Sequence, residues 1–270
     1  MPHLHLDDTD IYYEVHGQGP PFLFLPATDA PGAVFSFFQI PEFSRDHRVI
    51  ICDQRGTGRS KTRSTDFSTA RMAADAAALL VHLNASGAIV LGHSIGGRVA
   101  QLLALDHPGT VRKLILASTG AKTAQKGIPL QMCVGMIEKG YHGYLREHCY
   151  AVGFGKAYVA DHRDEIEKFL KVRLAAPAPL ETHLRIVAAR SYHDTSARLK
   201  NIRQPTLVIA GDEEDQPSST GMAHLASSEF LAREIPGARM IVLPGEGHYY
   251  FYSNPAATNR AIRDFLAASG

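Results

Sequence analysis

A series of short apolar runs without polar alternation constrains this chain most: Phe22 to Leu25, Arg48 to Cys52, Ala88 to Leu91, Lys113 to Ala117, Thr206 to Ala210 and Met240 to Leu243. A strand with no polar side has no face to offer to water, so such runs belong in a parallel sheet covered by helices on both faces. Two earlier runs, His3 to Leu6 and Ile11 to His16, flank Asp7-Asp8-Thr9-Asp10, whose side chains favour a turn, and predict an antiparallel hairpin. Helical spacing fills the gaps. Ser68 can cap Thr69 to Leu83, where Met72, Ala76, Leu79, Leu80 and Leu83 share one face, and Gly96 to Leu105, Ser227 to Ile235 and Ala256 to Ala268 read the same way. Strand and helix alternate, which predicts an α/β fold with a mostly parallel sheet of about eight strands.

Residues 121–201 break the alternation. They hold helix-like blocks, Leu130 to Lys139 and Asp164 to Leu174, punctuated by Pro177-Ala-Pro179, and Arg203-Gln-Pro205 hands the chain back to the sheet pattern. The expected organisation is a core of residues 1–120 and 202–270 with a helical lid, residues 121–201, inserted before the strand at Thr206.

Charge excludes some functions. Over 270 residues, 28 Lys and Arg stand against 27 Asp and Glu, so there is no broad field for nucleic acid or an anionic membrane. Cys52, Cys133 and Cys149 lack the spacing of a disulfide framework or a zinc site, and no metal is expected. The amino terminus lacks the basic and apolar regions of a secretion signal, which predicts a cytoplasmic protein. The most apolar stretch, Met72 to Gly92, is interrupted by Asp75, His82, Asn84 and Gly87, so no membrane span is expected.

Chemistry enters directly after the run ending at Leu91, where Gly92-His93-Ser94-Ile95-Gly96-Gly97 precedes a helical pattern. G-x-S-x-G between strand and helix forces its serine onto a tight turn at the sheet edge, with the glycines making room for it. A serine hydroxyl needs a base, and the base needs an orienting group. Ile241-Val-Leu-Pro-Gly-Glu-Gly247-His248 puts a histidine beyond the last strand at the same edge, and Gly211-Asp212-Glu213-Glu214-Asp215 offers four carboxylates after the preceding one. That run is too acidic to read uniquely. An ordinary imidazole at His248 predicts a rate rising through about pH 6 to 7.

A third motif, Asp53-Gln-Arg55-Gly56-Thr-Gly58-Arg-Ser60, follows another strand and resembles the D-x-R-G-x-G-x-S signature of the α/β-hydrolase superfamily. A dinucleotide fingerprint fails there, since its third glycine would fall at Lys61. With all three motifs the chain resembles that superfamily over nearly its whole length, most of all its enol-lactonase and small-ester hydrolase branch. The resemblance implies a serine hydrolase of a carboxylic ester or lactone, working through an acyl-enzyme without a cofactor. It implies an oxyanion hole from the Thr28 and Ile95 N–H groups, although Pro26 and Ala27 stand where His and Gly are usual. Relatives place the acid three residues after the strand's final glycine, which is Glu214 here. Asp215 is preferred, because an added loop residue costs less than a displaced carboxylate, with Glu214 the second choice and Asp212 expected to bond the turn.

The same outline also houses C–C bond hydrolases and cofactor-free haloperoxidases and dioxygenases, and a few non-catalytic small-molecule binders, which tend to lose a triad member. The expected partner is a small, largely apolar substrate, and a homo-oligomer stays open. Phe35, Phe37, Phe38, Tyr249, Tyr250 and Phe251 are candidates to line its pocket, and Lys139, Arg146, Lys156, Arg163 and Arg173 to meet a substrate carboxylate. With Ser94, His248 and the acid all on sheet loops, the lid is expected mainly to govern substrate selection.

Overall fold

The structure is a computed structural model that describes residues 2–123, 126–213 and 224–268. In chain order its elements are β1 (His3–His5), β2 (Thr9–His16), β3 (Pro21–Leu25), α1 (Gln39–Phe43), β4 (Arg48–Cys52), β5 (Lys61–Thr62), α2 (Thr69–His82), β6 (Ala88–His93), α3 (Ile95–Asp106) and β7 (Val111–Ala117). Then come α4 (Leu130–Gly153), α5 (Lys156–Asp161), α6 (Arg163–Arg173), α7 (Leu180–Tyr192), β8 (Thr206–Gly211), α8 (His224–Glu234), β9 (Arg239–Leu243), α9 (Tyr250–Ser253) and α10 (Pro255–Ala267). Every strand expected from an apolar run is present. The two-residue β5, which pairs with β2, was not expected.

The strands form one nine-stranded mixed sheet in the order β1-β2-β4-β3-β6-β7-β8-β9. The first two junctions are antiparallel and the run from β4 to β9 is parallel. Its strands are apolar on both sides because both sides are covered. Leu23 and Leu25 of β3 pack with Leu79, Leu80, Val99 and Leu103 of α2 and α3. Phe22 and Phe24 face the other way, onto Phe35, Phe43, Ile262 and Phe265. Ser68 caps α2 as its position predicts, its hydroxyl accepting the Arg71 N–H at 3.2 Å.

The D-x-R-G-x-G-x-S segment is a brace and does not reach the cavity described below. Asp53 accepts the Gly32 and Arg59 N–H groups, each at 2.8 Å, and Arg55, fully buried, forks onto Asp75 at 2.7 and 2.9 Å. Removing either partner of the Arg55–Asp75 pair would strand a buried charge.

After β3 the chain turns to β4 on one side and then crosses to β6 on the other. Ligand crevices in such sheets open beyond the carboxyl ends of the strands where the order reverses, here between β3 and β6. Residues of α4, α6 and α7 border the cavity there. Asp29, just past β3, accepts hydrogen bonds from Tyr141 of α4 at 2.8 Å, from the Ala178 N–H at 2.8 Å and from His183 of α7 at 3.3 Å. Among the described residues no helix is long and apolar enough to cross a membrane.

Candidate functional site

Ser94 sits between β6 and α3 with φ 57° and ψ −118°, a backbone conformation that disfavours any side chain. Its neighbours hold it there. The Ser94 N–H donates to the Ala117 carbonyl at 2.9 Å, and the Thr119 hydroxyl donates to the Ser94 carbonyl at 2.6 Å. The flanking glycines are needed for space: a Cβ on Gly92 would lie 2.3 Å from the Gly96 carbonyl oxygen, and one on Gly96 only 2.2 Å from that of Leu25.

The second close approach brings the start of α3 against the loop after β3. Ile95 opens the helix, where an N–H has no intrahelical acceptor, and Thr28 lines the same cavity as Ser94. The Thr28 loop is fixed from above. The buried guanidinium of Arg173 donates to the Thr28 carbonyl at 2.6 Å and also to the Asp29 carbonyl. Asp29 has φ 52°, and its carboxylate meets three helical-segment donors. Burial alone would raise the Asp29 carboxyl, but the His183 hydrogen bond, the Arg173 charge and the Ala178 N–H together hold it below the usual carboxylate range.

His248 lines the cavity with Ser94. Its backbone is clamped at both ends: the N–H donates to Val152 of α4 at 3.1 Å, and the carbonyl accepts Nε2–H of His93 at 2.9 Å. The residue before the serine thus sets the backbone of the histidine, and the rings of His93 and His248 lie 4.5 Å apart. Sequence reasoning missed His93, which it read only as the variable position of the motif. The helical segment also holds part of the candidate site, Val152 accepting the His248 N–H and Arg173 donating to the Thr28 carbonyl. Burial, with the positive charges of His148, Arg190 and Arg173, pushes the His248 imidazole down to about 3.

Neutral buried histidines make the fold acid-sensitive. Burial lowers His93 well below an ordinary imidazole, and burial with the Arg98 charge takes His193 to about 3. Both gain a proton on unfolding below about pH 6.5 and stay neutral when folded, so the unfolded state binds more protons and stability falls as pH falls. Stability should therefore fall from pH 6 to pH 4. Chemical denaturation across that range should show it, and a midpoint constant from pH 6 to pH 4 would contradict the buried neutral state.

Of the four carboxylates after β8, two are described, and both are engaged. Asp212 Oδ1 accepts the Gly245 N–H at 2.6 Å, the turn-bonding role expected of it, and Glu213 Oε2 accepts the Lys156 N–H at 2.7 Å. Glu214 and Asp215 lie outside the described residues.

The cavity beside Ser94 measures about 50 Å³ and is lined by Met132, Leu145, Val152, Val187 and Tyr249 among apolar side chains. Of the aromatic candidates, Tyr249 lines it. Phe35 and Phe251 pack together beneath the sheet at 5.2 Å, Phe37 stacks edge-on to Tyr252, and the Tyr250 hydroxyl donates to the Ile209 carbonyl. Among the cationic candidates Lys139 pairs with Glu147 and Arg146 with Glu167 on the outside, Lys156 and Arg163 are exposed, and Arg173 holds backbone. The cation that sequence reasoning missed is Arg190 of α7, which lines the cavity at 7% exposure. No local signal marks it, because an arginine on a helix reads as a solvated charge.

The description of an alpha/beta hydrolase family matches residues 15–261. The RutD protein of Azorhizobium caulinodans, named as a candidate carbamate hydrolase, is 30% identical over 98% of this chain and 98% of its own. Among solved structures, Est816, described as an N-acyl homoserine lactone degrading enzyme, is 28% identical with a TM-score of 0.80, covering 98% of this chain and 100% of that one. The enol-lactonase of Burkholderia xenovorans superposes with a TM-score of 0.86 over 99% of this chain and 100% of that one, and at 21% identity this likeness concerns the fold.

Proposed function

The chain belongs to the alpha/beta hydrolase family and is a hydrolase, and from that premise we propose that it cleaves a carboxylic ester or lactone, with Ser94 as nucleophile. His248 takes the hydroxyl proton as Ser94 attacks the carbonyl, and the Thr28 and Ile95 N–H groups receive the developing oxyanion. The alcohol leaves with the proton from His248. Water, deprotonated by the same imidazole, then clears the acyl-enzyme, and a carboxylate from the 214–215 pair keeps His248 in the required tautomer.

The observation that carries this reading is Ser94 on a strained strand-to-helix turn, lining one cavity with His248 and Thr28. The lactone-degrading neighbour at 28% identity adds support for the substrate class. A panel of p-nitrophenyl esters, lactones, carbamates and vinylogous diketones, run with a fluorophosphonate label, tests it. Ester or lactone turnover with the label on Ser94 is expected. Turnover confined to diketones would mean C–C cleavage, and folded protein with neither turnover nor label would point to a binding protein.

The pH profile gives a second check. Only neutral His248 can accept the serine proton, and its surroundings favour the neutral form, so kcat/KM should hold to lower pH than an unperturbed imidazole allows. The acid limb is expected to have its midpoint below about pH 6, in place of the 6 to 7 read from sequence. A midpoint at or above 6.5 would show that the charge of the orienting carboxylate outweighs burial at this histidine.

A further inference from the structure

Of the two buried arginines that line the cavity, Arg173 and Arg190, the second has no counter-charge among the described residues. Arg55 is paired with Asp75, and Arg173 holds two backbone carbonyls. Arg190 is just as enclosed, yet its Nε has no hydrogen-bond partner and no described carboxylate forms an ion pair with it. Its guanidinium borders the cavity that Ser94 and His248 also line. A cation held out of water without an anion is strongly unfavourable, so a protein that keeps one there has a partner arriving from outside.

The surroundings point to the charge of that partner. Arg190 and Arg173 both act on His248 as positive charges, and Arg98 lies close enough for Arg190 to disfavour its charge. Asp29, a described carboxylate near the cavity, is already engaged by Tyr141, His183 and the Ala178 N–H. Two further polar atoms bordering the cavity lack partners, Nε2 of His183 at 3% exposure and the Thr28 hydroxyl. The apolar part of the cavity lining is Met132, Leu145, Val152 and Val187. Such a wall fits a short hydrocarbon spacer joining a reacting carbonyl to an anionic end. A planar guanidinium matches the two oxygens of a carboxylate in a bidentate pair.

Resting on the reading of Ser94 as nucleophile, we propose that the substrate is an ester or lactone bearing a second, free carboxylate, which Arg190 receives. Arg190 is then the residue that sets specificity.

Mono-p-nitrophenyl glutarate and p-nitrophenyl pentanoate have arms of nearly equal length and differ in the terminal carboxylate, so the ratio of their kcat/KM values reads the preference. The parent should favour the glutarate by on the order of 10- to 100-fold. Arg190→Met should bring the ratio to about one, mainly through KM on the glutarate, and Arg190→Lys should restore part of it. Binding to Ser94→Ala protein, followed by calorimetry with monomethyl glutarate and methyl pentanoate, tests the same contact without turnover. Tighter binding of the glutarate, lost in the Ser94→Ala, Arg190→Met double variant, is expected. Equal affinities, or a preference that survives Arg190→Met, would overturn the proposal whatever the esterase assay gives. Selective binding through Arg190 in a chain that hydrolyses neither ester would instead overturn the role of Ser94 and leave Arg190 as an anion receptor.

Discussion

Ser94→Ala is expected to lower kcat by on the order of 10⁴-fold or more and to abolish fluorophosphonate labelling, while the protein keeps its fold and stability. The structure separates these two effects. What holds the turn is backbone: the Ser94 N–H on Ala117, its carbonyl under the Thr119 hydroxyl, and the tight approach of Gly92 to Gly96. Alanine keeps the same Cβ, and so the same strain at φ 57°, and removes only the hydroxyl. Ser94→Gly extends the test. It too should be inactive, but by relieving a side chain from a left-handed conformation it should be more stable than the parent by about 1 kcal/mol. Finding the glycine variant less stable than the alanine variant would show that the turn is not strained. Near-normal turnover by a well-folded Ser94→Ala protein would remove the nucleophile, and the reaction class with it.

The fold was legible where one physical cause dominated. The unbroken apolar runs could only be strands covered on both faces, and Phe22 and Phe24 against Leu23 and Leu25 show both faces filled. The elements that escaped had no such cause. Lys61–Thr62 is a strand because β2 lies beside it, and α7 interleaves Glu181, His183, Arg185 and Arg190 with its apolar residues, so its pattern is weak. For the candidate site, the placements fixed by local geometry were legible: Ser94 on its turn between glycines and His248 just past β9, the two lining one cavity. Residues whose role comes from a distant neighbour were not. Nothing near Arg173 in the sequence says that it reaches the Thr28 carbonyl, and Lys139, with the same charge, points into solvent toward Glu147. His93 likewise acquires its role from a carbonyl 155 positions away.

The acid is the remaining member of the constellation, and Asp215→Asn is expected to cost about 10⁴ in kcat with stability nearly unchanged. The loop geometry narrows the choice. After β8 the chain keeps bonding along the loop that carries the histidine: the Asp212 N–H donates to Leu243 at 3.2 Å and the Glu213 N–H to Glu246 at 3.0 Å, two residues before His248. Both side chains are engaged with backbone N–H groups, of Gly245 and Lys156. A carboxylate serving His248 is therefore expected at the next residues, Glu214 or Asp215. Between them the shorter side chain is preferred, since a carboxylate moved by one carbon–carbon bond would turn the imidazole away from Ser94, whereas a surface loop absorbs an added residue at little cost. An amide at the acid position can accept from the histidine or donate to it, so it holds the wrong tautomer as readily as the right one, which explains the size of the expected loss. Glu214→Gln should stay within about tenfold of the parent, and Asp212→Asn should weaken the turn at Gly245 by about 1 kcal/mol while sparing the rate. Measured side by side, a large loss in Glu214→Gln with Asp215→Asn within tenfold of the parent would move the acid to Glu214. Retention of the rate by both would show that His248 is oriented by a group outside this loop.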